Sequence, residues 1–348
     1  MKTKSLAGRD FLTVLDFSKE ELLTILDLSF RLKGDVASGR SHELLRNKTL
    51  FMMFYNRSLR TRNSFEVGMT QLGGHANYLD SDTVYTPAME GDEKAFITER
   101  ISDVARVLPR YGDGIAIRLF GDKVDWQYKK GHKILREFAK WADIPVINME
   151  DDVYHPCQGM ADLLTMVEKL GDLKKKKIVV SWAYSPSVKK PVSVPHSAMA
   201  VSSYFGANIV FARPDGFELD TEIIDQVREN SKRYGGSFEE TNDMREAFKD
   251  AHVVYPKCWP SLKYMPPQLN QFDVQKQTEL FEKNRDWICD ADKLSLALQD
   301  VLYMHCLPCD RGFEVTDEVA DGPNSVIFDQ AENRLHAQKA IMALIMKQ

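Results

Sequence analysis

No stretch of the chain approaches the roughly 18 consecutive apolar residues that a membrane-spanning helix needs. The opening MKTKSLAGRD also lacks the apolar centre of a secretory leader. A protein without membrane contact, placed in the cytoplasm, is the expectation. Cysteine is scarce: Cys157, Cys258, Cys289, Cys306 and Cys309 are an odd set of five in 348 residues, which does not make a disulfide framework. Cys306-Leu-Pro-Cys309 has the spacing of a redox or zinc motif, but no second C-x-x-C or H-x3-H accompanies it, so no metal and no cofactor is expected. Positive charge is not in excess either. A net charge of -5 and a pI near 6.0 give no basic field for nucleic acid or anionic lipid, so any anion site must be local. Neither G-x-x-x-x-G-K-[ST] nor G-x-G-x-x-G occurs, which disfavours a nucleotide-binding protein. Repeats and low-complexity segments are missing, and the lysine run at 174–177 reads as a solvated turn.

What is present is ordinary globular material, 43% hydrophobic and 28% charged. The length suits two α/β domains sharing a cleft. Ser18-Lys-Glu-Glu21 is a capping box that predicts a helix over 19–33, ended near Gly34. Leu50 to Tyr55 is an apolar run of the kind found in strands buried on both faces, and Thr61 to Leu72 then reads as a helix closed by Gly73-Gly74. Further strands are expected near 76–79, 114–118 and 144–148, with helices near 98–111, 130–141 and 158–170. The second half repeats the alternation, with strands near 177–182, 208–212, 252–256 and 301–305 and helices near 196–205, 221–233 and 242–249. Parallel sheets flanked by helices follow. The domains are placed at 1–152 and 153–329, with a last helix, 330–348, returning to the first.

Chemistry concentrates at predicted strand ends, where open α/β sheets bind ligands. Ser58-Leu59-Arg60-Thr61-Arg62 lies between a buried strand and a helix start, where free N–H groups, hydroxyls and two guanidinium groups suit a phosphate. Arg118, then His155-Pro-Cys-Gln158, then His305-Cys306-Leu307-Pro308 follow other strands, and Arg334 sits in a late Glu-Asn-Arg. Taken singly, each has a structural explanation as a cap, a core histidine or a surface ion pair. Their convergence argues for a site.

The combination Ser-x-Arg-Thr-Arg, His-Pro-x-Gln, His-Cys-Leu-Pro and Glu-Asn-Arg resembles the aspartate/ornithine carbamoyltransferase family over nearly the whole chain. The resemblance implies a carbamoyl-phosphate domain followed by an acceptor domain, in a homotrimer with active sites between subunits. It also implies that Ser58, Leu59, Arg60, Thr61, Arg62 and Arg334 hold carbamoyl phosphate. Arg118 and His155 would donate to the carbamoyl oxygen, Gln158 and the Leu307 carbonyl would accept from its NH2, and Cys306 would lie at the reacting group. The Ser-Met-Gly segment of ordinary ornithine enzymes is missing. In its place the proline-rich Trp182 to Pro195 loop is similar to that of the knotted branch, which acts on N-acetyl- or N-succinylornithine. By that likeness Glu150, Lys257 and Leu307 would contact the acceptor, and Tyr85 or Glu90 would stand in for a tryptophan loop that is shorter here. A carbamoyltransferase for free ornithine or another diamino acid is the competing expectation, and a non-catalytic carbamoyl-phosphate binder the third.

Overall fold

The computed structural model describes residues 5–265 and 272–346. The chain forms two α/β units: Met1–Val124, Lys129–Ala161 and Asn333–Gln348 make the first, Asp125–Tyr128 and Asp162–Glu332 the second. None of the described helices is long and apolar enough to cross a membrane.

In the first unit, helix α1 (Lys19–Ala37) starts at the expected capping box, with Ser18 and Glu21 each bonding the other's backbone N–H. It runs past Gly34, whose helical placement costs only about 1 kcal/mol relative to alanine. Strand β1 (Thr49–Phe54), buried along nearly its whole length, leads into α2 (Leu59–Gln71) and β2 (His75–Asp80). A short parallel pair, β3 (Thr86–Ala88) and β4 (Thr98–Arg100), occupies the segment expected to be loop and helix start. Consequently α3 covers only Ile101–Val107. Strand β5 (Gly114–Leu119), helix α4 (Lys130–Trp141) and strand β6 (Val146–Asp151) complete a four-stranded parallel sheet of order β2-β1-β5-β6. β6 begins two residues later than expected because Pro145 has no N–H for the ladder, although its carbonyl still accepts from the Ile115 N–H (2.9 Å).

Helix α5 (Pro156–Leu170) is divided between the units at residue 161. The second unit continues with β7 (Lys177–Trp182), α6 (Ser193–Ser203), β8 (Asn208–Ala212), α7 (Thr221–Arg233), β9 (Ser237–Thr241), α8 (Met244–Phe248) and β10 (Val253–Lys257). Helices α9 (Val274–Glu282) and α10 (Ala291–Leu294), strand β11 (Leu302–Tyr303) and helix α11 (Asp317–Ala320) follow. Its parallel sheet has the order β11-β10-β7-β8-β9. Both edge strands depart from expectation: β9 is half exposed and polar, so it lacks an apolar signature, and β11 pairs with β10 over only two residues. The final helix, α12 (Ile327–Ile345), starts in the second unit, and its residues from Asn333 onward belong to the first.

Candidate active site

In the first unit, β1 ends at Phe54 and the chain turns through extended Ser58, whose Oγ accepts from the Thr61 N–H (3.1 Å). The positive end of the α2 dipole lies here, an arrangement that attracts anions. Leu59 is 73% exposed, whereas Thr61 is buried and its Oγ1 accepts from Arg334 Nη2 (2.9 Å). Arg334 is itself only 3% exposed and donates through Nη1 to Gln158 Oε1 (2.6 Å). With its amide oxygen turned toward Arg334, Gln338 accepts from Nε (3.1 Å). Thr61, Gln158 and Arg334, far apart in sequence, are thus brought together. Arg62 is held elsewhere: its guanidinium lies 3.7 Å over the Tyr78 ring and its Nε 3.5 Å from Glu66.

Arg118 ends β5, and a register shift after Ile117 places it opposite Glu150 rather than Met149. Bulges of this kind re-aim side chains near active sites. Arg118 Nη1 forms an ion pair with Glu150 Oε2, while its Nε has no hydrogen-bond partner. Glu150 Oε2 also lies 3.7 Å from His155 Nε2. His155 is delivered by a turn organised on Asp151, whose Oδ1 accepts from the N–H groups of Val153 (2.7 Å) and Tyr154 (2.6 Å). The other Asp151 oxygen takes Asn148 Nδ2 (2.8 Å) and contacts His132 Nδ1 (2.7 Å). Burial, followed by the positive charges of Arg334, Arg118 and Arg60, holds His155 well below its ordinary value. The imidazole is therefore neutral near pH 7 and donates one N–H.

In the second unit, Lys257 ends β10, where its buried Nζ donates to Glu314 Oε1 (2.9 Å). Cys306 is partly exposed and faces the Tyr255 hydroxyl. Leu307 has a left-handed φ of 56°, a conformation that costs a non-glycine residue about 1 kcal/mol or more. Asp310 Oδ2 accepts from Lys190 Nζ (2.7 Å) and Ser185 Oγ (2.5 Å), which ties the proline-rich loop to the segment after Pro308. Arg311 turns instead to Asp317 and Asp321. Gln330 accepts from the His305 N–H (2.9 Å) and donates to Asp162 Oδ1 (2.7 Å) and Tyr255 Oη (3.1 Å). Tyr85 is 49% exposed, and Glu90 pairs with Arg100 (3.1 Å).

Sequence reading does not single out Asp151, Gln330, Gln338 or Glu314. Each is a buried polar side chain bonded to backbone N–H groups, to other side chains or to both, and no spacing motif marks such a role. Asn56 is a fifth: its amide exchanges two hydrogen bonds with the Phe120 backbone (2.9 and 3.1 Å), fixing the β1 and β5 exits against each other.

Among the described residues no group of three or more His, Cys, Asp or Glu is arranged to hold a metal ion. Cys157 is buried, which pushes its thiol up to about 12, and Cys258 and Cys289 are raised further by burial. Iodoacetamide at pH 7.5 is therefore expected to label Cys306 and Cys309 well before these three, as read by peptide mass spectrometry. Early labelling of Cys157 in the folded protein would contradict its placement.

The capped start of α2, the buried Arg334 bonded to Thr61 and Gln158, and the Arg118–Glu150–His155 group all lie in the first unit, an arrangement of the kind found in group-transfer enzymes that handle anions. Comparison with known proteins gives the particular class. The profile "Aspartate/ornithine carbamoyltransferase, carbamoyl-P binding domain" matches residues 9–168, and "Aspartate/ornithine carbamoyltransferase, Asp/Orn binding domain" matches residues 188–345. The chain is 43% identical to the ornithine carbamoyltransferase of Thermococcus kodakarensis, covering 98% of each sequence. It resembles the solved ornithine carbamoyltransferase of Pyrococcus furiosus with TM-score 0.85 at 40% identity, covering 99% of each. An acetylornithine transcarbamylase complexed with acetylcitrulline gives TM-score 0.89 at 35% identity, covering 97% of this chain and 99% of that one. The chain belongs to the aspartate/ornithine carbamoyltransferase family and is a carbamoyltransferase.

Proposed function

We propose that the chain moves the carbamoyl group of carbamoyl phosphate to the side-chain amine of an ornithine whose α-nitrogen is acylated, of the N-acetyl- or N-succinylornithine type. The observation that carries the choice of acceptor is the commitment of both carboxylates beside the His305–Pro308 segment to lysines: Asp310 to Lys190 and Glu314 to Lys257. A charged α-ammonium would enter a region holding two ammonium groups whose counter-ions are already engaged, whereas an amide nitrogen carries no charge. The likeness to the acetylornithine enzyme supports the same reading. Free ornithine is the second reading, supported by relatives at 41–43% identity that are named ornithine carbamoyltransferase.

In this reading residues 1–152 with the returning helix hold carbamoyl phosphate, and residues 153–329 hold the acceptor. The start of α2, with Ser58, Leu59, Arg60 and Thr61, and the buried Arg334 bind the phosphate; Arg62 contributes longer-range charge. Arg118 and neutral His155 donate to the carbamoyl oxygen as the tetrahedral oxyanion forms, an electrostatic role matched to developing charge. Gln158 and the Leu307 carbonyl accept from the carbamoyl NH2, with Cys306 beside them. Glu150 orients the attacking amine, and Lys257 and Lys190 attract the acceptor's carboxylate. The new N–C bond forms first to give that oxyanion, the bond from the carbamoyl carbon to the phosphate oxygen then breaks, and the amine's proton leaves with phosphate. By family likeness the working form is a cytoplasmic homotrimer with sites between subunits.

The test is product analysis by mass spectrometry with carbamoyl phosphate and a panel of ornithine, N-acetylornithine, N-succinylornithine, lysine, putrescine and diaminopropionate. An N-acylornithine should be carbamoylated on the order of 10²-fold faster than free ornithine, the scale of one uncompensated charge in a partly buried site. Faster reaction of free ornithine would replace the first reading with the second.

A further inference from the structure

Glu314 lies in none of the segments that suggested the chemistry, yet it is fully buried and its two oxygens reach four groups: Lys257, Cys258, His305 and Asp310. Oε1 accepts from Lys257 Nζ (2.9 Å) and from the Cys258 N–H (2.7 Å) at the end of β10. Oε2 accepts from the Asp310 N–H (2.8 Å) and lies 3.3 Å from His305 Nε2. Burial alone would raise its carboxyl, but Lys257, then His305 and Lys190, overcome burial and hold it well below the usual carboxylate range. It is a carboxylate at any working pH.

His305 extends the chain of contacts. Its Nδ1 accepts from the Leu307 N–H (2.9 Å), so the ring proton sits on Nε2, on the side facing Glu314. Burial keeps the ring neutral against the pull of Glu314. The Leu307 peptide, in its left-handed conformation, is thus anchored to a ring whose Nε2 faces the Glu314 carboxylate.

We propose that Glu314 is a positioning residue of the transfer reaction: one buried carboxylate fixes the Lys257 ammonium directly and the Leu307 peptide through the His305 tautomer. This rests on the reading that Leu307 and Lys257 meet the substrates. Glutamine at 314 can still accept on one side, but its NH2 on the other confronts the Asp310 N–H and the His305 Nε2–H, both donors. His305 is then driven to its other tautomer, whose Nδ1–H opposes the Leu307 N–H. A displaced Leu307 carbonyl should be costly, since a misplacement of about 1 Å in a reacting site lowers turnover by about 10²-fold.

The experiment is a double-mutant cycle on the full chain, with steady-state kinetics using carbamoyl phosphate and the best acceptor of the panel. Asparagine at 305 can present an oxygen where Nδ1 stood, with no tautomer for Glu314 to set. The expected result is that Glu314→Gln lowers kcat by about 10²-fold in the native background and by less than about 5-fold in the His305→Asn background, the non-additivity of residues in one network. Equal losses in both backgrounds would show that Glu314 does not act through His305 and would overturn the proposal. Should Glu314→Gln fail to fold, the single His305 variants decide. Asparagine replaces the Nδ1 acceptor and glutamine only reaches toward Glu314, so His305→Asn should retain about 10-fold more turnover than His305→Gln; the reverse order overturns the proposal. Nitrogen NMR of histidine-labelled protein is independent of any acceptor. His305 should carry its proton on Nε2 from pH 6 to 8, and a proton on Nδ1 would sink the idea. If the native enzyme turns over no acceptor in the panel, the acceptor reading fails while this spectrum still judges Glu314.

Discussion

Arg118→Ala is expected to lower kcat on the order of 10²- to 10³-fold, the loss seen when one donor to a developing oxyanion is removed. The effect should fall on kcat more than on KM for carbamoyl phosphate, because the phosphate is assigned to other groups, the α2 start and Arg334. A second consequence comes from Glu150, which pairs with Arg118 and lies 3.7 Å from His155. Removing the guanidinium leaves that buried carboxylate facing the imidazole and takes away one of the three positive charges that depress it. The His155 pKa must then rise. A group with a raised folded pKa is protonated over a wider range below it, so kcat of the variant should acquire a pH dependence on the acid side that the native enzyme lacks. Arg118→Lys restores charge without the planar fork and should recover only part of the loss. Steady-state rates from pH 5.5 to 8.5 test both points, and an unchanged kcat for Arg118→Ala would remove this residue from the reaction.

Lys257→Met should produce the largest loss of stability, about 3–5 kcal/mol, because it strands the Glu314 carboxylate in the interior without its cation. The pH dependence fixes the cause. In the native protein the Glu314 pKa is depressed, so its contribution is fully present above the unfolded carboxylate value and is lost as pH falls through the folded one. Without Lys257 burial is opposed chiefly by His305 and Lys190, and the folded pKa moves upward. The penalty in the variant should therefore be greatest at neutral pH and shrink toward pH 5. Urea unfolding at pH 5 and pH 8 measures the difference. A penalty that grows on acidification would mean that Glu314 is not the group left uncompensated.

The parallel sheets were legible because central strands carry unbroken apolar runs: Leu50–Tyr55, Ile178–Val180 and Val253–Tyr255 have no alternation to misread. Helix starts were legible where a side chain caps them, as Ser18 and Ser58 do. Edge strands were not, since β9 is half exposed and reads Ser-Phe-Glu-Glu-Thr. The site divides in the same way. Residues expected to touch substrate stand in compact motifs, and the structure gathers Thr61, Gln158 and Arg334 into one bonded group. The residues behind them, Asp151, Gln330 and Glu314, bind backbone N–H groups whose positions exist only once the fold does. Lys257 shows the limit from the other side: its type was conspicuous, but its engagement with Glu314 depends on a residue 57 positions later in sequence.

The hydrogen bond from Arg334 to Thr61 joins residues separated by 273 positions, and Gln158 joins them from between. A ribosome making this protein exposes the start of α2 early, when the arginine that completes the pocket is still unmade. Through most of synthesis Thr61 and Gln158 wait without the guanidinium that later joins them. Loss of the residues from Asn333 onward, by a nonsense codon or a protease, would therefore remove the guanidinium that joins Thr61 to Gln158 while leaving every residue of the second unit in place.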